Sequence, residues 1–190
     1  MIRLVTQSAL LVAALTVRAV SQTPAASSRQ GGPSADARPL GIWFQVGAGV
    51  GDSRSQSGGA ALSASGNVQV NRVVWSARLD GVFPNVGSSN VTQLAALIGV
   101  TTRRDARFAS ASVGVAYVGR KTCVSGCGLL SDLGETSYNQ STTGLAFAAE
   151  TALRAGDQVG VGIGLTSFAN LNSLSSFVGI GLSFSLGQWR

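Results

Sequence analysis

The chain has no histidine, a single methionine, two cysteines and four prolines in 190 residues. Without histidine there is no Ser-His-Asp hydrolysis, no His-ligated metal and no imidazole general base. Serines are numerous, but Lys121, the only lysine, is their sole candidate Ser-Lys partner, and it falls in a long polar stretch. Enzymatic activity is not expected, and no cofactor is. Charge is scarce too: 12% of residues are charged, against roughly 25% in ordinary globular domains. No apolar run approaches the ~18 residues of a spanning helix. Yet mean hydropathy is +0.29. A hydrophobic average without a hydrophobic helix is what alternating, lipid-facing strands produce.

What is present is alternation. From Ser176 to Arg190, the residues Val178, Ile180, Leu182, Phe184 and Leu186 take every second position, with Gly179, Gly181, Ser183, Ser185 and Gly187 between them. Successive strand side chains point to opposite faces, so period 2 predicts a strand with one greasy and one small face. A soluble sandwich would carry Lys, Glu and Thr on its outer face. A Gly/Ser face instead suggests a narrow lumen behind a lipid-facing wall.

The same pattern recurs up the chain. Ile42, Phe44, Val46, Ala48 and Val50 oppose Trp43, Gln45, Gly47 and Gly49. Further strands are expected at about 60–70, 73–83, 92–102, 109–117, 143–151 and 159–166. On strand three, Val73, Trp75, Ala77, Leu79 and Phe83 oppose Val74, Ser76, Arg78, Asp80 and Val82. The turns at Asn71-Arg72, Arg103–Arg107 and Arg154–Asp157 are short. The stretches 52–59, 84–90, 119–139 and 169–175 read as longer loops. No proline falls inside a strand, as central strands require. Eight strands of about 10 residues suit a tilted bilayer crossing, and closure removes exposed sheet edges.

Ahead of the strands, Arg3, the apolar Leu4–Leu15 segment and Ala19-Val20-Ser21 have the form of a secretory signal peptide. The expected organisation is a signal peptide over 1–21, a flexible Ala/Ser/Gly/Pro leader over 22–39 and a barrel over 40–190. The fold class is all-β, an eight-stranded antiparallel up-and-down transmembrane barrel. From about Leu40 to Arg190 the pattern resembles the small eight-stranded outer-membrane barrels, OmpA-like or OmpX-like. That resemblance implies residence in the outer membrane of a Gram-negative-type bacterium, contact with outer-membrane lipid and recognition by the barrel assembly machinery, for which Phe184 and Trp189 are the terminal aromatics. Phe44, Trp75, Phe83 and Tyr117 are candidates for an interfacial belt. A monomer is expected. The formal charge of +6 includes Arg3 and Arg18, and most remaining basic residues fall at turns, so no nucleic-acid partner is expected.

Two constellations stand out. Arg78, Asp80 and Glu150 are lumen-facing by phase, where isolated charges are costly, so a mutual ion-pair network is expected. It reads either as a structural plug or as a gate on ion leakage. Cys123 and Cys127 make a poor zinc site without further ligands; in an oxidising compartment they form a disulfide. The Gly-rich runs at 47–51 and 160–164 lack the third glycine and following helix of a dinucleotide site and suit a strand's narrow face. The expected role is structural or surface-interacting through external loops. A narrow pore, or a secreted lipocalin-like barrel holding an apolar ligand, remain as alternatives.

Overall fold

The computed structural model describes residues 40–54, 56–84, 90–104, 106–125, 136–155 and 160–188. The signal-like start and the leader lie outside them, as do Trp189 and Arg190. Eight strands follow in order: β1 Leu40–Ser53, β2 Gln56–Val70, β3 Val73–Pro84, β4 Asn90–Arg104, β5 Arg107–Ser125, β6 Thr136–Ala155, β7 Gly160–Leu171 and β8 Phe177–Gln188. Each pairs antiparallel with the next. β1 pairs with β8 from Ile42↔Gln188 to Ser53↔Phe177, closing the barrel. Across the barrel wall each strand has a hydrogen-bonded neighbour on both sides, which removes the open ladders of a flat sheet there; the ends of β5 and β6 that outrun β4 and β7 pair only with each other.

Alternation along each strand sorts the side chains. Ile42, Phe44, Val46, Leu94, Val115, Leu145, Ile163, Leu165, Ile180, Leu182 and Phe184 are exposed on the outer wall. Their neighbours in sequence, among them Trp43, Gln45, Ser183 and Ser185, are buried inside. Phe44 and Leu182 are each 68% exposed. A continuous apolar wall of this extent is not stable against water, since soluble monomers rarely expose apolar patches beyond a few hundred Å². Phe44, Trp75 and Tyr117 all point outward.

Several strands run past their expected ends. β5 and β6 are 19 and 20 residues long, so only 126–135 of the expected 119–139 loop lies outside the described residues. Pairs such as Arg120↔Gln140 and Lys121↔Asn139 continue the ladder. Beyond Val118 the pairs Gly119↔Ser141, Arg120↔Gln140 and Lys121↔Asn139 carry no apolar alternation, so apolar periodicity does not reveal the extension. β7 likewise takes in 169–171. The expected 52–59 loop is mostly strand: β1 and β2 pair as far as Ser53↔Gln56, with a register shift between Gly51 and Ser53. Arg154, expected in a turn, is a buried residue of β6. Pro84 ends β3, which keeps its missing N–H away from the central ladder.

Candidate functional site in the barrel interior

The interior is layered. Toward the termini, Trp43, Val74, Phe108 and Ala152 form an apolar cluster, with the Trp43 and Phe108 rings edge to face at 5.3 Å. Toward the opposite end, Val82, Val91, Leu97, Val118, Phe168 and Phe177 belong to a larger one. Between the two lies a polar layer centred on Arg78.

Arg78 sits on β3, 2% exposed. Its Nε donates to Asp80 Oδ1 at 2.6 Å, its Nη1 to Glu150 Oε1 at 2.6 Å and its Nη2 to Thr166 Oγ1 at 2.7 Å. The planar fork thus satisfies two carboxylates and a hydroxyl at once, a geometry lysine does not offer. Arg78 and Asp80 meet because residues two apart share a strand face. Glu150 and Thr166 are a facing pair of β6 and β7 across the lumen. The guanidinium also lies 5.5 Å from the centroid of the Phe168 ring, within cation–π range.

Neutral groups complete the layer. Gln93 Nε2 donates to Asp80 Oδ2 at 2.7 Å, and Asn170 Nδ2 donates to Gln93 Oε1 at 2.7 Å. Asn172 Nδ2 donates to Asn170 Oδ1 at 2.6 Å, while Asn172 Oδ1 accepts from the backbone of Leu174 and Ser175. A continuous hydrogen-bonded chain therefore ties the β7–β8 turn to the barrel centre. With its amide oriented to satisfy both ends, Gln45 donates to Glu150 Oε2 at 2.6 Å and accepts from Ser183 Oγ at 2.9 Å. Buried polar groups that are all partnered rigidify a core; left partly unpartnered, they destabilise it.

Arg78, Asp80 and Glu150 are thus brought together. Cys127 lies outside the described residues, and of Cys123 only its backbone pairing with Ser137 is described. Sequence reasoning places Gln45 on an inner face without singling it out, takes Thr166 as the end of the strand expected at 159–166, passes over Gln93 and assigns Asn170 to a loop. Inner-face phase combined with a long polar side chain is the signal that would have found Gln45 and Gln93.

The lumen has less room than its glycines suggest. A Cβ on Gly181 would fall 2.6 Å from the Ala48 carbonyl carbon, and closer still to its oxygen. The glycine at this point admits the β1 backbone, not solvent. Among the described residues, no three His, Cys, Asp or Glu side chains gather to hold a metal ion.

No family model matches the chain, and no curated protein matches it in sequence. Solved structures do resemble it. Neisserial surface protein A superposes with a TM-score of 0.55 at 11% identity, covering 78% of this chain and 96% of that one. Ail, the attachment invasion locus protein of Yersinia pestis, gives 0.53 at 9% identity, covering 79% and 97%. Ail in complex with the heparin analogue sucrose octasulfate gives 0.52, with the same identity and coverage. At such identities the likeness is one of fold: the closed eight-stranded barrel of small outer-membrane proteins.

Proposed function

We propose that this protein is a non-enzymatic outer-membrane barrel with a filled lumen, acting structurally or through the hairpins at the end opposite its termini. The observation that carries the reading is the inversion of the usual arrangement: an apolar wall outside and a partnered polar layer inside. Only an apolar medium makes that arrangement stable. The likeness to Ail and to Neisserial surface protein A supports it. Ail's complex with the heparin analogue sucrose octasulfate supports a surface-ligand role.

The β5–β6 hairpin carries the longest strands, while β2 and β3 are joined at the termini end by Asn71 and Arg72 alone. Short turns beside the termini suit the periplasmic side and protruding hairpins the external side. Outer-membrane lipid and the barrel assembly machinery are the proposed partners, and a monomer the proposed state. The pore reading requires the Arg78 layer and both apolar clusters to part. The lipocalin-like reading requires an apolar cavity where hydrogen-bonded polar groups stand.

Cell fractionation with a heat-modifiability gel tests the reading. The expected result is a membrane-fraction band whose mobility shifts on boiling. A soluble, unshifted species would overturn it. Steady conductance of the wild-type chain in planar bilayers would replace the filled lumen with a pore.

A further inference from the structure

On the outer wall near the β5–β6 hairpin, the apolar surface ends in three successive rows set by the strand register. The lowest is Leu94–Tyr117–Thr143, the next Thr92–Gly119–Ser141, and the third contains Lys121 beside Asn139. The middle row has no side chain at its centre. The result is an outward-facing notch of about 270 Å³, floored by Gly119 and bordered by Tyr117, Thr92, Ser141, Lys121 and Asn139. Tyr117 and Lys121 are both exposed. Arg120 lines the notch as well, and among the described residues no acidic one does.

We propose that this notch binds the phosphate-bearing headgroup of an anionic lipid in the leaflet that surrounds the hairpin end. The position selects an amphiphile. Below the notch the wall is apolar, so acyl chains already lie against Val115 and Leu145; above it the strands are polar. The chemistry selects an anion. Lys121 supplies positive charge at the level where headgroups sit. Hydroxyls of Thr92 and Ser141 and the Asn139 amide are donors for phosphate oxygens. Tyr117 offers the amphipathic ring that favours the membrane–water boundary.

Gly119 provides a clean test, because a Cβ there would meet only Thr92 Oγ1, at 3.6 Å, an ordinary contact. Gly119→Val therefore puts apolar bulk into the notch from a position where the added Cβ itself meets no close contact. The full chain is refolded into detergent micelles and its fold checked by heat-modifiability. Native mass spectrometry then measures occupancy by dihexanoyl phosphatidic acid, by the matching dihexanoylglycerol and by inorganic phosphate. Expected are selective binding of phosphatidic acid, a roughly fivefold loss of affinity in Lys121→Gln, the scale of one basic residue near an anionic surface, and at least as large a loss in Gly119→Val.

Equal occupancy by dihexanoylglycerol, unchanged binding in both variants, or competition by inorganic phosphate as strong as by the lipid would each overturn the proposal. The proposal rests on the outer wall facing lipid. A wild-type chain that fails to insert into bilayers removes both, whereas a barrel that inserts but binds without selectivity removes only the lipid site.

Discussion

Replacing Arg78 with methionine keeps an unbranched but shorter apolar side chain and removes the charge and all three donor nitrogens. The structure sets the size of the effect. Asp80 and Glu150, 1% and 6% exposed, lose the guanidinium they share, and Thr166 loses a bond of 2.7 Å. Removing one partner of a buried ion pair costs about 3–5 kcal/mol, because the remaining charge stays desolvated and uncompensated. A single hydrogen bond to a charged group contributes about 1.5–3 kcal/mol, so Thr166→Val should fall well below Arg78→Met. The triple variant Arg78→Met, Asp80→Asn, Glu150→Gln removes the charges together and should recover part of the loss, since no uncompensated charge is then left buried. Urea titration of the refolded barrel in micelles, with the folded fraction read from its gel mobility, measures all three. A loss below about 1 kcal/mol for Arg78→Met, the size of an ordinary neutral hydrogen bond, would refute the claim that the layer depends on Arg78. So would a triple variant no more stable than the single one.

Ile180→Arg puts a charge on the outer wall and should cost about 2–4 kcal/mol near the bilayer midplane, seen as a reduced inserted fraction in vesicles. Gly181→Ser should also impair folding, because its Cβ meets the Ala48 backbone; a fully stable variant would mean the β1–β8 seam is looser than described. Glu150→Gln should lower the unfolding midpoint and leave planar-bilayer conductance unchanged, whereas altered opening would favour a gate and a variant silent in both would deny the residue any role. Cys123 and Cys127 should resist thiol labelling under denaturing, non-reducing conditions in the exported protein, and full labelling would exclude a disulfide.

Much of the barrel is legible residue by residue, because strand sidedness is a local property. Ile163 and Ile180 face outward simply because every second side chain does, and Asp80 falls inside with Arg78 by the same rule. Strand number follows from counting such runs between turns. Where alternation stops being apolar, the reading stops as well. The extension of β5 and β6 beyond Val118 and Thr142 is held by backbone pairing that has no apolar side-chain signature, and Arg154 passes for a turn residue because charges usually mark turns.

Composition and periodicity alone thus determined an apolar-walled, eight-stranded barrel with charge inside it. Partners in the interior were decided by tertiary structure. Arg78 and Glu150 stand 72 positions apart, Arg78 and Thr166 88, and Gln93 and Asn170 77. Closure and register alone bring such residues to one level of the lumen. The inner radius is a tertiary quantity for the same reason: whether Gly181 opens space or admits a neighbouring backbone depends on how closely β8 approaches β1, and no local pattern encodes a distance between strands more than a hundred residues apart.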